Sequence, residues 1–352
     1  VSSDSMSGTP PLTTVAAGSE RVSVIVPSRD EVHNLPRVLA MIAAQTLRPD
    51  ELVIADGMST DGSRELLAAA EAGGIPVRVV DNPDRIVPAG LNRALEAATG
   101  DIVARMDTHA DYQPDYLEQV VGFLRAHPEV DAVGGAMATA GRGPWGTAIA
   151  ATLSRPFGLG GARHRVGGEA GPIQHVFSGC YRREVLLRAG GWDERFIANE
   201  DFEADLRVAE TGGTLWLHPA ARSTWYVRTS PAALAKQMWR YGHYKGLTLH
   251  VHPDSLRLRQ LVPPAVVVAL AVALIARPAL GAVVTAAYLL VAGAAGARAA
   301  AADGASPLRG ACVPAIVHLS WGAGLIAGFV RFAGARGTKI TAGRTAAAAS
   351  HR

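Results

Sequence analysis

Four short apolar runs alternate with helical stretches in the first third of this 352-residue chain, and that alternation leaves few folds open. The runs lie at 21–27 (RVSVIVP), 51–56 (ELVIAD), 77–80 (VRVV) and 101–106 (DIVARM). Between the first two, Leu35, Val38, Leu39 and Ile42 recur at helical spacing, with Asn34 placed to cap the helix and Pro36 in its first turn. Residues 63–72 and 90–98 read as helices in the same way, and 115–125 follows the fourth run. Strands and helices alternating every 25 residues or so are the signature of an α/β domain built on a parallel sheet.

Beyond the apolar run at 130–135 the pattern loosens. Residues 141–172 are rich in Gly and Arg and weakly periodic, which predicts a lid or substrate-facing loop. Order resumes with Ser178-Gly179-Cys180-Tyr181, a helix at 183–189, Gly190-Gly191-Trp192-Asp193, a helix at 201–210, a strand at 214–218 and an amphipathic helix at 231–241.

The last hundred residues change character. Runs at 261–276, 278–297 and 311–332 approach the roughly 20 apolar residues that cross a bilayer. A buried helical bundle is the alternative for sequence so rich in Ala. Past Asp254 the sole acidic residue is Asp303. Arg257 and Arg259 before the first run place the preceding domain in the cytosol. Three full spans would then put the basic tail (Arg331, Arg336, Lys339, Arg344) outside, so a shallow hairpin followed by one span or none stays open. The expected organisation is a leader at 1–20, an α/β domain at 21–256, two or three membrane-associated helices at 257–334 and a basic tail at 335–352. The Ser-, Thr-, Gly- and Pro-rich leader predicts disorder and not an export signal. With 34 basic and 31 acidic residues, composition predicts no nucleic-acid partner. The two cysteines, Cys180 and Cys312, suit neither a disulfide framework nor a zinc site.

Chemistry-bearing residues collect just past the strand ends. Ser28-Arg29-Asp30-Glu31 follows the first strand, Asp56-Gly57-Met58-Ser59-Thr60-Asp61-Gly62 the second, and Asp107-Thr108-His109-Ala110-Asp111 the fourth. In a parallel sheet the three face one crevice, where ligands bind. Carboxylates beside an imidazole can hold a hard divalent cation, and that cation a diphosphate. Asp107 and Asp111 can also cap the helix that follows. Asn199-Glu200-Asp201 opens a helix, where Asp201 serves either as a cap or as a general base towards an acceptor hydroxyl. Lys236-Gln237-Met238-Trp239-Arg240-Tyr241, with Lys245, is either an interfacial anchor or a clamp for phosphate oxygens. Gly141-Arg142-Gly143-Pro144-Trp145-Gly146 fits a dinucleotide-binding spacing, but Pro and Trp fill the turn and no strand–helix unit surrounds it.

Together these motifs resemble family 2 glycosyltransferases of the GT-A fold, over about 22–245, and among them bacterial exopolysaccharide glucosyltransferases of the succinoglycan type with C-terminal membrane segments. The resemblance implies a Rossmann-like nucleotide-sugar-binding domain with a mostly parallel sheet. It implies that Pro27, Arg29, Glu31, Asp56, Asp61, Arg105 and Asp107 bind the nucleotide of a UDP-sugar. Asp107 with His109 stands at the family's metal-binding D-x-D, for Mg²⁺ or Mn²⁺, and Asp201 at the catalytic base of its E-D motif. Gln237 to Tyr241 resembles the Q-x-x-R-W motif of processive members, with Tyr in place of Trp. Gly179, Trp192, Asp193, Glu200, Gln237, Arg240 and Lys245 would meet the acceptor or its phosphate. One base and no protein nucleophile implies transfer with inversion to a lipid-linked or glycan acceptor at the cytoplasmic face of the membrane. The rivals are a glycoside hydrolase, for which adjacent Glu200 and Asp201 cannot flank a bond, and a non-catalytic membrane-tethered module binding nucleotide sugar or glycan.

Overall fold

A computed structural model describes residues 20–72, 76–155, 165 and 168–335. The leader and the basic tail therefore lie outside the described residues, apart from Glu20 and Ala335, as does most of 156–167 within the expected lid. The first half runs β1 (Val22–Ser28), α1 (Leu35–Ala43), β2 (Glu51–Asp56), α2 (Ser63–Ala72), β3 (Val77–Asp81), α3 (Val87–Ala97) and β4 (Ile102–Arg105). These strands lie parallel in the order β3-β2-β1-β4. Each face of β1 is covered, which is why its apolar run is continuous. Val22, Val24 and Val26 pack with α1 and with α4 (Tyr116–Ala126), while Ile25 packs with Leu91 and Leu95 of α3.

The second half is mixed. β5 (Ala110–Tyr112), β6 (Ala132–Ala140), β7 (Gly171–Pro172), β8 (Cys180–Arg182) and β9 (Leu215–Tyr226) extend the sheet in the order β4-β8-β6-β9-β5, with β7 also on β9. β8 runs antiparallel to both β4 and β6, and β6 runs parallel to β9. A register shift between Gly135 and Ala136 bends this pair. It is possible because Gly135 has no Cβ; one built there would lie 2.2 Å from the carbonyl oxygen of Ala221. The bend lets β9 run on to Trp225 and Tyr226, well past the strand expected at 214–218. The expected lid over 141–172 is only partly a loop: α5 (Gly143–Leu153) buries an apolar face, its sequence being too uniformly small and apolar for helical periodicity to show.

α6 (Arg183–Arg188) and α7 (Glu200–Glu210) precede β9, and α8 (Pro231–Val251) follows it. Three apolar helices end the described chain: α9 (Val262–Ala276), α10 (Pro278–Ala302) and α11 (Pro307–Arg331). Each is long and apolar enough to cross a membrane, α9 with the turn that precedes it. They are not equally free. α9 is almost wholly uncovered, whereas α11 lies along α8 and α5, sharing a core of Ile149, Leu153, Leu234, Met238, Val313 and Val317. Glycines let α8 and α11 touch backbone to backbone. A Cβ on Gly242 would lie 2.1 Å from the Trp321 oxygen, and one on Gly328 2.0 Å from the His243 oxygen.

Candidate active site

Parallel register brings Ser28, Asp56 and Asp81 level at the carboxyl edge of β1, β2 and β3. β4 stops earlier, with Arg105 beside Ile25, and the chain then crosses through Asp107, Thr108 and His109 to β5, which pairs with the far end of β9. A cleft of about 810 Å³ opens above this edge, walled by the β1 turn, the 105–110 crossing, the start of α7, the end of β9 and one face of α8.

Arg105 forms its floor. Its side chain is buried, and its guanidinium reaches carboxylates from two distant stretches. Nε donates to Asp107 Oδ1 at 2.9 Å, Nη2 to Glu200 Oε1 at 3.2 Å, and Nη1 lies 3.4 Å from Asp201 Oδ2. Burial works against the charge of Arg105, but Asp107, Asp201 and Glu200 outweigh it and hold the group firmly protonated. Burial and the neighbouring Asp201 push Glu200 up to about 7. Burial would raise Asp201 too, yet Arg105 and His175 draw it below its ordinary value. The adjacent carboxylates are thereby split: Glu200 holds a proton near neutrality and Asp201 stays ionised and able to accept one.

The helix bearing this pair is set from behind. Asn199 takes the left-handed conformation (φ 62°), and its side chain donates to the carbonyl of Tyr241 at 3.0 Å, tying the start of α7 to α8. His175 holds Asp205 at 2.7 Å, and Tyr181 donates to the same carboxylate. The 105–111 crossing is pinned as well. Arg37 donates to the carbonyls of Thr108 and Ala110 and pairs with Asp111, to which Tyr226 also donates at 2.7 Å. The backbone NH of Asp107 donates to Tyr112 Oη. Asp111 is thus a brace for the crossing, not a cap.

Of the residues read from sequence, Pro27, Arg29, Glu31, Arg105, Asp107, His109, Glu200, Asp201, Gln237 and Arg240 line the cleft. Six do not. Asp56 is fully buried, its oxygens taken by Ser59 and Arg64, while Gly57 beside it reaches the cleft. Asp61 accepts from Val32 and Ser63 and shapes a turn. Trp192 is a core side chain, 2% exposed, so it offers no face to a sugar ring. Asp193 is closed onto Arg195 at 2.6 Å, and Gly179 underlies Arg105 through its carbonyl, with Tyr181 where a Cβ would be. Lys245 is buried, bonded to Ser255 and facing the Phe202 ring; burial lowers it to about 8. Arg37, Asn82, Arg85, Arg142, Arg165, His175, Trp225, Tyr226 and Arg228 also line the cleft, although no sequence motif marks them as site residues. The Arg-rich composition of 141–172 was a signal for two of them.

No three His, Cys, Asp or Glu side chains converge as a metal cage among the described residues. Asp107 faces Arg105, and His109 Nε2 meets Glu31 Oε1 at 2.9 Å. This donor set fits an ion shared with a bound diphosphate, for which one or two protein carboxylates suffice, and does not fit an ion held by protein alone.

Residues 23–188 match the model of the family described as Glycosyl transferase family 2. Succinoglycan biosynthesis protein ExoA of Rhizobium meliloti (strain 1021) is 32% identical over 251 residues, 69% of this chain and 74% of that protein. The chain belongs to glycosyltransferase family 2. A second relative of this glycosyltransferase is a dolichyl N-acetyl-alpha-D-glucosaminyl phosphate 3-beta-D-2,3-diacetamido-2,3-dideoxy-beta-D-glucuronosyltransferase from Methanococcus voltae, 24% identical over 237 residues, 65% of this chain and 74% of that protein. Among solved structures, mannosyltransferase PcManGT from Pyrobaculum calidifontis, in complex with GDP-Man and Mn²⁺, aligns with a TM-score of 0.58 at 22% identity, covering 90% of this chain and 87% of that one. That likeness is one of fold, and it places the glycosyltransferase among GT-A structures.

Proposed function

We propose that this glycosyltransferase moves a hexose from a UDP-sugar to a lipid-linked or glycan acceptor, with inversion, during synthesis of a cell-surface polysaccharide. The observation that carries the reading is the single guanidinium of Arg105, which joins Asp107 to Glu200 and Asp201 across more than ninety residues of sequence. It brings Asp107 and Asp201 to one cleft floor, which supports assigning the first to the diphosphate and the second to the base.

In this mechanism Asp201, kept ionised by Arg105 and His175, accepts the proton of the acceptor hydroxyl as that oxygen attacks the anomeric carbon. Glu200 shares the guanidinium of Arg105 and keeps its own proton, so it does not compete as the base. Pro27, Arg29, Glu31 and Gly57 form the wall against which the nucleotide lies, with Arg85 and Asn82 at its far side. A divalent ion held at Asp107 and His109 would supply charge neutralisation for the departing diphosphate. His109 must release Glu31 to take that role. The dolichyl phosphate-linked sugar in the name of the Methanococcus voltae relative, and the succinoglycan pathway in that of ExoA, support a lipid-linked acceptor in polysaccharide synthesis. Arg257 and Arg259 ahead of the apolar helices support a cytoplasmic catalytic domain.

The decisive experiment is a donor screen on membranes containing the full chain, reading nucleotide release with and without EDTA. A UDP-hexose is expected to turn over, and chelation to suppress it by at least about tenfold. Turnover unaffected by EDTA would remove the metal from the reading. Turnover of a GDP-sugar alone would remove UDP.

A further inference from the structure

The turn between α8 and the apolar helices holds a buried titratable group that the proposed mechanism does not use. His252 closes α8, its backbone NH bonded to the carbonyl of Thr248. Both of its ring nitrogens face carboxylates of α7. Nε2 lies 3.1 Å from Glu203 Oε1, and Nδ1 lies 2.6 Å from Glu210 Oε1. A neutral imidazole has one N–H and would set the lone pair of its other nitrogen against a carboxylate. Only the imidazolium donates to both, so the geometry itself calls for a protonated ring. Burial works against that charge, but Glu203 and Glu210 outweigh it and raise His252 above its ordinary value.

Glu203 connects this ring to the site. It is fully buried in the first turn of α7, two residues on from Asp201, and Arg207 grips its two oxygens at 2.7 Å each. Arg207 donates in turn to the carbonyls of Ala189 and Gly191. Lys245 adds a second tie. Its Nζ donates to the carbonyl and hydroxyl of Ser255 and lies over the ring of Phe202, the residue after Asp201. The charged groups around His252 among the described residues are thus Glu203, Arg207 and Glu210 from α7 and Lys245 from α8, with Asp254 in the turn and Arg257 just beyond it. The turn at 252–255 is fixed to the helix bearing Asp201 and leads directly into α9, which is almost wholly uncovered.

We propose that His252 is a positioning residue, whose grip on Glu203 and Glu210 makes the turn leading into the apolar helices part of the support of Asp201. The proposal rests on Asp201 as the base, the reading given above, and adds what holds that base in place. It also makes the support depend on pH. The grip is whole below the ordinary histidine value of 6.5 and is lost as pH rises through the higher value of the folded chain.

The test uses the full chain in detergent and compares wild type, His252→Gln, His252→Lys and Glu210→Gln at about pH 6 and about pH 9. It reads kcat for nucleotide release from a UDP-hexose, the hydrogen-exchange protection of α7 amides, and UDP affinity. His252→Gln, which cannot carry the charge, is expected to lower kcat and protection by about tenfold at the lower pH, the worth of one hydrogen bond to a charged group. At the higher pH wild type loses the same grip, and the gap closes to about twofold or less. His252→Lys keeps a cation and retains more of both at either pH. Glu210→Gln lets a neutral ring donate to Glu203 and accept from the new amide, so its kcat varies less with pH than that of wild type. UDP affinity shifts by less than about twofold throughout, since His252 and Glu210 lie outside the cleft. A His252→Gln deficit that is equal at both pH values would make the residue merely structural and overturn the proposal. No loss of kcat or of protection, or an equal loss of UDP affinity, would overturn it too. If His252→Gln does not fold, Glu210→Gln decides alone, its side chain being mostly exposed, and a pH response identical to wild type overturns the proposal. Protection that behaves as expected while no donor is turned over would leave the grip standing and defeat the proposed function instead.

Discussion

At the residue scale the proposed reaction depends on keeping two adjacent carboxylates different. Glu200 and Asp201 share the guanidinium of Arg105 but not the same surroundings: His175 bears on Asp201, and burial dominates at Glu200. Asp201→Asn, nearly the same shape without the basic oxygen, is expected to lower kcat by about 10²–10⁴-fold while UDP binding stays near normal. A wild-type rate in that variant would end the assignment of the base. Glu200 leads to a stability prediction. Its proton is kept in the folded chain up to about pH 7 and lost from the unfolded chain near the ordinary value of 4.5. Between those limits the folded state binds more protons, so this contribution to stability falls as pH rises. Glu200→Gln removes the titration. Thermal melts at about pH 5 and about pH 8 should show wild type losing more Tm on the alkaline side than the variant, and equal losses would contradict the assignment.

At the scale of elements, the contact that matters most is that of α8 with α11. α8 carries Gln237 and Arg240 on its cleft face and Gly242 and Gly246 on its back, where the backbone of α11 lies against it. The position of the cleft wall is therefore set by an apolar helix near the end of the chain. Gly328→Leu would force the two backbones apart, because no rotamer avoids the His243 carbonyl. The expected cost is about 1–3 kcal/mol of stability. Nucleotide release should fall with it, as Gln237 and Arg240 move. A Leu at Gly334, where a Cβ meets nothing, is the matched control. Equal activity in the two variants would show that α8 holds its place without α11.

For the whole molecule, the α/β domain and the apolar helices are joined more closely than a domain with an anchor. α11 shares a core with α5 and α8, while α9 and α10 keep Val268, Val272, Ile275, Leu290 and Val291 exposed, a surface suited to lipid. A chain ending near Leu256 would uncover Leu234, Met238 and the glycine face of α8. It is expected to aggregate or to lose nucleotide release, by comparison with the full chain in membranes. A soluble, fully active truncation working on water-soluble acceptors would remove the main support for a lipid-linked acceptor.

Much of this could be read from the sequence. Alternating apolar runs marked β1 to β4 and their helices, because a strand buried on both faces must be apolar throughout and its helices must show one stripe. Asp107, Glu200 and Asp201 were visible because charge at a strand end or helix start stands out against apolar neighbours. α5 was hidden by its small, evenly apolar residues, and the length of β9 by polar residues on its exposed face. Site membership also needed the fold. Asp56 and Trp192 look like ligand residues in sequence, yet one is spent on Ser59 and Arg64 and the other on the core, since hydrogen-bond partners and burial are set by residues far away in the chain. Arg165 and Arg228 carry no motif at all, and only the bend of β9 and the seat of α8 bring them to the cleft. The sequence alone determined which chemical groups this protein has and on which strand ends they stand. Which of them face one another was decided by tertiary packing, because a guanidinium such as Arg105 can join Asp107 to Asp201 only after ninety intervening residues have folded back to one edge of the sheet.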